Sequence, residues 1–473
     1  MVFIISISSS TCVFTLFYLT TSLVSALIVS STKMFVVIFI FTLIHLVPTI
    51  HSIIHSTSTP SEVATLVGNS FILHANTFIN WEGGFQYGGA ITSEGLMDAA
   101  SIVNTTTRDK WMQTLDTYLD MYMQDNSTNA VACDDRQPYG ASTKTRSCAW
   151  SIYNNQTLSP KSWELSTVGD SLGAFPLSYL KRYEITNGST KDAIVSLRTV
   201  TKYIYPFTHR LKDNTISRNG GCCKPPPRFG NKSPYIWADD QFMGLALMAR
   251  LSTAEKIVDL ETRTTFINRA ALMQLNFAKY LIDPVDGLSF HGAYVEDENN
   301  EVLHSCCKWG RANGWGALSR VEVLKAIDRS FPNYSLRKEL IVDFKKFMAS
   351  MIKYQSNDGR WHQVINETST YLETSVTAMM ITAIAEGVVQ GWLKRTKYQS
   401  VIELAWKGLL KTIIHRNGTV TVSGVCMGTG IQSNLTGYAT RGTDYMQSAP
   451  GGVGSVLIAC SALDRLEKYL QKY

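Results

Sequence analysis

The sequence predicts a mostly helical protein, built as a chain of helical hairpins with short β-hairpins on one face. Apolar residues recur at helical spacing along most of the chain after Leu165. Asn-Gly or Asp-Gly turns interrupt this pattern at separations of 59 to 72 residues, room for two helices and their loops. Short apolar or aromatic runs follow the turns, as in residues 288–294 and 360–364, and are typical of small hairpins. Hairpins of this period can close into a ring of inner helices wrapped by outer ones.

The pattern before position 160 is less regular. Residues 64–78 predict a helix, and residues 81–89, which are rich in glycine, predict a loop. Residues 109–123 predict an amphipathic helix. Its apolar side carries Trp111, Leu115, Tyr118, Leu119 and Tyr122. Residues 125–160, dense in Asn, Ser, Thr and Gly, predict a long loop with a disulfide between its two cysteines.

Two later stretches follow the helical period clearly. The first contains Phe266, Ala270, Met273, Phe277 and Leu281, and the second contains Val342, Phe344, Phe347, Met351 and Tyr354. We interpret these apolar stripes as core surfaces and not as cofactor-binding faces.

Composition places the chain among globular proteins. Hydrophobic residues make up 45% of its 473 residues and charged residues only 17%, which provides a large core and argues against disorder. The formal net charge of +6 is compatible with an acidic substrate. It is too diffuse for a nucleic-acid-binding surface, and no lysine-rich block is present, so we expect no nucleic-acid partner.

The first 55 residues predict a signal peptide or hydrophobic leader. Apart from Lys33 they are almost without charge, and they hold two apolar runs, residues 2–28 and 34–54. The second run begins at Met34, a candidate start of translation, and leads into a more polar segment as a signal peptide does. An uncleaved membrane anchor is the alternative, since each run approaches spanning length. Residues 56–473 are then a single domain.

Glycosylation sequons and cysteines agree with a secreted, extracellular protein. The sequons begin at Asn104, Asn126, Asn155, Asn187, Asn231, Asn333, Asn366, Asn417 and Asn434. Removal of the leader leaves an even set of cysteines, as disulfide-bonded proteins have. They are Cys133, Cys148, Cys222, Cys223, Cys306, Cys307, Cys426 and Cys460.

A pair of carboxylates, Asp239 and Asp240, lies between Trp237 and Met243. The apolar residues that follow have helical spacing, so both aspartates fall near a helix start, where an Asp commonly caps backbone N–H groups. The alternative is that Asp239 is a catalytic acid and base. Its carboxyl would lie beside the apolar faces of Trp237 and Met243, where desolvation favours the protonated form.

A second segment, residues 308–315, holds two Trp, an Arg and an Asn and opens another predicted helix after a glycine. Aromatic faces stack on sugar rings, and the Arg fork of donors matches a carboxylate. The segment therefore predicts a subsite for an acidic sugar, with a structural corner as the alternative.

Together the two segments resemble the unsaturated uronyl hydrolases of glycoside hydrolase families 105 and 88, and family 105 more closely. The family motif Trp-x-Asp-x-x-x-Met is matched by Trp237, Asp239 and Met243. The motif Trp-x-Arg-Gly-Asn-Gly-Trp is matched at Trp309, Arg311, Asn313, Gly314 and Trp315, with Ala312 in place of a glycine. Residues 355–363 and 371–378 extend the match, which covers most of the chain after position 160. The resemblance implies an (α/α)6 barrel of six helical hairpins, with its site at one end of the inner helices.

The resemblance also implies a reaction. Members of these families hydrate the double bond between the fourth and fifth carbons of an unsaturated uronic acid, and the resulting hemiketal opens and releases the neighbouring sugar. The implied substrate is an acidic oligosaccharide produced by a lyase, with rhamnogalacturonan fragments as candidates, and no metal or organic cofactor is required. Asp239 matches the catalytic position. Asp170 is the candidate for a second, upstream carboxylate, with a helix cap as its alternative role.

The remaining site residues also follow from the resemblance. His291 occupies the place of a substrate-contacting histidine, although a lone His is more often structural. The predicted substrate-binding residues are Trp237, Met243, His291, Trp309, Arg311, Asn313 and Trp315. His362 and Glu373 are weaker candidates for the same rim.

The two vicinal cysteine pairs precede these motifs, Cys222–Cys223 before Trp237 and Cys306–Cys307 before Trp309. We hypothesise that bridges between the two pairs staple the rim of the site. A metal site is the competing interpretation, but zinc-ligand spacing is missing, so we expect no metal.

Two other functions remain open at this point. A non-catalytic carbohydrate-binding protein would bind saccharides without forming a product. An (α/α)6 glycosidase or lyase of another mechanism would act on saturated substrates and depend on two carboxylates.

Overall fold

The structure is a computed structural model of the chain. It describes residues 2–8, 11–17, 58–73, 87–124, 148–155, 173–186, 190–204, 210–219, 234–296, 301–416, 419–442 and 450–472. The chain divides into two compact units, Met1–Ser58 and Thr59–Tyr473. No helix among the described residues is long and apolar enough to span a membrane.

The first unit contains one antiparallel pair of strands, β1 (Val2–Ser8) and β2 (Thr11–Phe17). Most of the predicted leader, residues 1–55, lies outside the described residues. The signal peptide and the domain boundary therefore stay predictions.

Helices build the second unit. They are α1 (Pro60–Leu73), α2 (Tyr87–Ala99), α3 (Thr105–Met121), α4 (Cys148–Tyr153), α5 (Gly173–Thr186), α6 (Thr190–Arg198), α7 (Asp240–Leu251), α8 (Leu260–Leu281), α9 (Gly310–Ser330), α10 (Arg337–Met351), α11 (Thr374–Val389), α12 (Arg395–Leu410), α13 (Leu435–Ala439) and α14 (Pro450–Lys472). A π-helical turn, Thr199–Ile204, extends α6, and a 3-10 turn, Ile352–Tyr354, extends α10.

Within the described residues, six of these helices form a closed inner ring. Helices α2, α5, α7, α9, α11 and α14 each contact the next in this order, and α14 contacts α2. Outside them lie α3, α6, α8, α10 and α12, each following its inner partner along the chain. The sixth outer helix is α1, which packs against α14. The (α/α)6 barrel of six helical hairpins is thus confirmed, and the first and last helices of the unit close it.

The difference between inner and outer helices follows from their surroundings. An inner helix has neighbours on every side, so α7 and α11 are buried almost all round, whereas α8, α10 and α12 bury one face. Close approach between inner helices depends on glycine. A Cβ atom on Gly454 of α14 would lie 2.4 Å from the carbonyl oxygen of Ile91 in α2.

Several element predictions are confirmed and others are wrong. All five apolar residues of the predicted helix over residues 109–123 are buried in or next to α3. The loop predicted over residues 81–89 is wrong in its last part, since α2 begins at Tyr87. Part of the long loop predicted over residues 125–160 is the helix α4. Val342 is 42% exposed and not core, because it lies outside the stripe of Phe344 and Phe347.

The strands of the second unit form small antiparallel sheets. Strands β3 (Arg218–Asn219), β4 (Pro234–Trp237), β5 (Gly292–Glu296) and β6 (Glu301–His304) pair in chain order. Strand β7 (Trp361–His362) pairs with β8 (Leu372–Glu373), and β9 (Ile413–Arg416) pairs with β10 (Thr419–Val422). Strands β4, β6 and β8 lead into the N-termini of α7, α9 and α11. Since the inner helices run in one direction, these sheets lie at one end of the ring, as predicted.

Candidate active site

Three consecutive inner helices present predicted site residues at their N-terminal ends. Asp239 directly precedes α7, Trp309 directly precedes α9, and Glu373 directly precedes α11. The chain therefore brings segments that are far apart in sequence to the same end of the barrel.

Asp239 occupies the position of a helix cap without acting as one. Its side chain makes no capping hydrogen bond to α7. The Oδ2 atom is buried and receives no hydrogen bond from any described residue, and it lies 3.4 Å from Nε2 of His291. The capping interpretation is therefore wrong for Asp239, whose Oδ2 atom lies beside His291.

Asp240 has a different environment from its neighbour. Arg218 donates two hydrogen bonds to its carboxylate, from Nε at 2.8 Å and from Nη2 at 2.6 Å. The same guanidinium lies over the ring of Trp237, 4.1 Å from the ring centre. Asp240 thereby ties strand β3 to helix α7 and supports Trp237, which is a structural role.

His291 lies at the centre of the site and is fully buried. Nε1 of Trp237 donates a hydrogen bond to its Nε2 at 2.9 Å, and its Nδ1 lies 2.8 Å from the hydroxyl of Tyr438. Burial lowers the pKa of His291 below its ordinary value, and this effect outweighs the opposing one of Asp239. Burial therefore favours the neutral form of His291.

Arg311, the second residue of α9, is 1% exposed. Its Nη1 donates a hydrogen bond to the carbonyl of Cys426 at 2.8 Å and lies 3.9 Å from Oε1 of Glu373. The guanidinium lies over Trp309, whose ring centre is 4.6 Å from that of His291. A continuous row of contacts thus runs from Arg311 to Asp239.

Glu373 is fully buried, and its charge is used inside the protein. Its Oε2 accepts a hydrogen bond from the backbone N–H of Val376 and caps α11, and its Oε1 accepts one from the backbone N–H of Cys426 at 2.9 Å. The structure therefore places Glu373 beneath the rim. His362 is half-buried and bonds through Nδ1 to the carbonyl of Thr370.

Asn313, Met243 and Trp315 lie under the site. The amide of Asn313 bonds to both the N–H and the carbonyl of Ser289, at 2.8 and 2.9 Å, and so fixes the chain that leads to His291. Met243 and Trp315 are each 1% exposed in the core, where Trp315 stacks on Phe242. These packing roles account for the three side chains, and their contact with a substrate stays a prediction.

Three sequence predictions fall on residues outside the described part of the chain. They concern Asp170, the candidate second carboxylate, the pair Cys222–Cys223, and Cys133 of the disulfide predicted within residues 125–160. The second vicinal pair is described, and Cys306 is bonded to its neighbour Cys307. The hypothesised bridges between the pairs are wrong for this reason. Cys426 and Cys460 are buried free thiols, so the even set of cysteines is not fully paired.

Sequence reasoning missed the segment from Val425 to Tyr438. It supplies the backbone contacts of Cys426 described above and brings Tyr438 to His291. It also places Ile431 against the cluster formed by Tyr235, Trp237 and Tyr294. No motif marks this segment in the sequence. The one available signal is its glycines, of which Gly428 has a φ of +121°.

Comparison with known proteins agrees with this fold. Residues 66–466 match the profile of Glycosyl Hydrolase Family 88. An unsaturated rhamnogalacturonyl hydrolase from Bacillus subtilis is 26% identical over 227 residues, which is 45% of this chain and 59% of the relative. An unsaturated 3S-rhamnoglycuronyl hydrolase from Formosa agariphila is 29% identical over 103 residues, 21% of this chain and 26% of the relative. The chain thus covers less than two thirds of the length of these curated relatives.

Solved structures share the fold. A family 105 glycoside hydrolase from C. acetobutylicum superposes with a TM-score of 0.61 at 18% identity, covering 85% of this chain and 99% of that one. The unsaturated glucuronyl hydrolase from Bacillus sp. GL1 superposes with a TM-score of 0.54 at 14% identity, covering 81% and 86%. Because the family profile matches most of its length, the chain belongs to glycosyl hydrolase family 88.

Proposed function

We propose that the chain is a secreted glycoside hydrolase that removes a 4,5-unsaturated uronic acid from lyase-generated oligosaccharides by hydrating the double bond. Rhamnogalacturonan fragments are the first candidate substrates. The observation that carries the proposal is the contrast between Asp239 and its buried neighbours. Asp239 has an oxygen without a donor among the described residues, whereas Asp240 and Glu373 are both engaged by protein groups.

The reaction needs a single group that first gives and then takes a proton. The Asp239 carboxyl donates its proton to the fourth carbon of the unsaturated sugar. A water molecule adds to the fifth carbon and returns a proton to the Asp239 carboxylate. The product is a hemiketal, which opens and releases the neighbouring sugar, so the enzyme ends in its starting protonation state.

A two-carboxylate displacement has weaker support. Such a mechanism needs a second acid or base facing the first across the bond that breaks. Asp240 is held by Arg218, and Glu373 by two backbone N–H groups, so neither is available within the described residues. The remaining candidate, Asp170, lies outside them.

The row from Arg311 to Asp239 supports an acidic sugar as the substrate. Arg311 supplies positive charge over the ring of Trp309, and a uronate combines one negative charge with a sugar face. The negative charge of Glu373 is already used on the α11 N-terminus and on the Cys426 N–H. We therefore assign binding of the uronate to the Arg311 side of the site.

Secretion rests on the leader and the sequons. The described sequon asparagines Asn104, Asn155, Asn333, Asn366 and Asn434 are all exposed and can be reached for glycosylation. Mass spectrometry before and after enzymatic removal of N-glycans, on protein collected from the medium of a eukaryotic host, tests this part.

The decisive experiment follows the ultraviolet absorbance of the enol ether in unsaturated rhamnogalacturonan and glycosaminoglycan disaccharides. We expect the wild-type protein to remove it and Asp239→Asn to leave it unchanged. Repeating the reaction in D2O should place deuterium on the fourth carbon, because hydration delivers a solvent hydrogen there. Turnover of saturated substrates without deuterium at that carbon would support a two-carboxylate glycosidase. Saccharide binding by both proteins without product would support the non-catalytic alternative.

A further inference from the structure

We infer that Tyr438 is a positioning residue, which fixes the tautomer of His291 and thereby keeps Asp239 available for catalysis. The inference rests on the function proposed above for its kinetic part. Its structural part, the protonation pattern of His291, can be tested without any substrate.

The hydrogen bonds of His291 allow a single neutral tautomer. An indole N–H can only donate, so the bond from Trp237 requires Nε2 of His291 to accept. The proton of the neutral imidazole then lies on Nδ1, which donates to the Tyr438 hydroxyl at 2.8 Å. Burial lowers the pKa of His291 and so disfavours the doubly protonated form.

Tyr438 itself is held in place. It is fully buried in the short helix α13, and its hydroxyl also receives a hydrogen bond from the backbone N–H of Gln432 at 3.2 Å. Asn434 caps α13 by accepting a hydrogen bond from the backbone N–H of Gly437 at 3.0 Å. The hydroxyl is therefore held at a fixed position beside Nδ1 of His291, where it can accept the imidazole proton.

The alternative tautomer would change the site at two points. A proton on Nε2 would oppose the indole N–H of Trp237 and remove the bond that holds its ring. The same proton would point to the neighbourhood of Oδ2 of Asp239, 3.4 Å away, and compete with the substrate for that oxygen. By accepting from Nδ1, Tyr438 stabilises the tautomer that the Trp237 bond requires, without contacting the reacting atoms.

The first test is the nitrogen NMR spectrum of wild-type protein labelled with 15N-histidine, with His291→Gln used to identify the His291 signals. We expect a protonated Nδ1 and an unprotonated Nε2 near neutral pH. A proton on Nε2, or on both nitrogens, would overturn the inference. This measurement decides the tautomer of His291 even where Tyr438→Phe does not fold.

The second test is kinetic. We expect Tyr438→Phe to lower kcat about tenfold, the loss of one hydrogen bond, with KM changed less than about twofold. The matched control is Tyr179→Phe, which also removes a buried hydroxyl. The Tyr179 hydroxyl donates a hydrogen bond to the backbone carbonyl of Leu119 at 2.9 Å, and its loss should leave both constants unchanged. In a His291→Gln background, Tyr438→Phe should cause no further loss, because it acts through His291.

The outcomes separate the two proposals. Wild-type turnover with an unchanged rate for Tyr438→Phe, or with losses that add in the double variant, would refute the positioning role and leave the proposed function intact. Absence of wild-type turnover on every unsaturated substrate would refute the proposed function, and the NMR result would then decide the tautomer alone.

Discussion

Arg218 and Asp240 form a two-point ion pair directly beside Asp239, so two consecutive aspartates have different tasks. The pair removes Asp240 from chemistry and supports Trp237 from below. Asp239, one residue earlier, keeps an oxygen that no described residue hydrogen-bonds.

Isosteric variants of the two aspartates should therefore fail in different ways. Asp239→Asn should lower kcat by about 10²- to 10⁴-fold and change the free energy of unfolding by less than about 0.5 kcal/mol. Asp240→Asn removes one charge of a buried pair and should lower the free energy of unfolding by about 3 kcal/mol. Enol-ether absorbance and urea unfolding measure the two effects. The different roles of the two aspartates would be contradicted if Asp240→Asn were as stable as wild type and Asp239→Asn were as active as wild type.

Asn313 should prove a structural residue of the site. Asn313→Ala leaves the buried N–H and carbonyl of Ser289 without their partner, which should lower the free energy of unfolding by about 2 to 4 kcal/mol. The matched control is the exposed Asn333→Ala, expected within about 0.5 kcal/mol of wild type. Urea unfolding compares them. Equal stability of both variants, with a higher KM for Asn313→Ala alone, would instead indicate direct contact with the substrate.

Gly173 should tolerate no side chain. A Cβ there would lie 1.9 Å from the carbonyl oxygen of Met243, so Gly173→Ala must push α5 away from α7. We expect the free energy of unfolding to fall by about 1 to 3 kcal/mol. Activity should fall as well, because α7 begins directly after Asp239. Gly316→Ala is the control, since its Cβ would meet only the ends of the Gln241 and Arg320 side chains, at 3.3 Å. Its stability should stay within about 1 kcal/mol.

Glu94, on inner helix α2, should make stability depend on pH. Burial raises its pKa to about 7, although Arg250 donates a hydrogen bond to it at 2.9 Å. Between the ordinary value of 4.5 and about 7, the folded protein holds a proton that the unfolded chain has lost. Its contribution to stability is therefore fully present below pH 4.5 and is lost as the pH rises through 7, with a slope of at most about 1.4 kcal/mol per pH unit.

The comparison of wild type with Glu94→Gln isolates this contribution. Urea unfolding at several pH values across the window should show the difference in unfolding free energy falling as the pH rises. Glu403→Gln, on the exposed face of α12, is the matched control. A difference for Glu94→Gln that does not change with pH would show that Arg250 keeps the Glu94 carboxylate ionised throughout.

Local patterns in the sequence predict the outer helices better than the inner ones. An outer helix such as α8 alternates buried and exposed residues, and that alternation can be read from Phe266 to Leu281. Inner helices are enclosed on all sides and join through glycines, so α2 has no apolar stripe, and its start at Tyr87 resembled a loop. Short motifs likewise predict Asp239 and Arg311 as site residues, and the structure brings both to the same end of the barrel.

Long-range contacts were beyond such reasoning. Arg311 bonds the carbonyl of Cys426, 115 residues later, and Tyr438 lies 147 residues after His291. Nothing in the neighbourhood of Tyr438 distinguishes it from any other buried tyrosine, because its role arises only when α13 meets the loop before β5. A search for short sequence motifs therefore finds Asp239 and Arg311 but misses Tyr438, the residue that we propose orients His291.

The closure of the ring by α14 has a consequence for biosynthesis. Until α14 has been synthesised, helices α1, α2 and α11 lack the partner that covers them, so the nascent chain exposes an apolar seam. The barrel can therefore close only after α14 has left the ribosome. A premature stop anywhere upstream of Pro450 should leave a chain that chaperones retain, however intact its acid and its arginine may be.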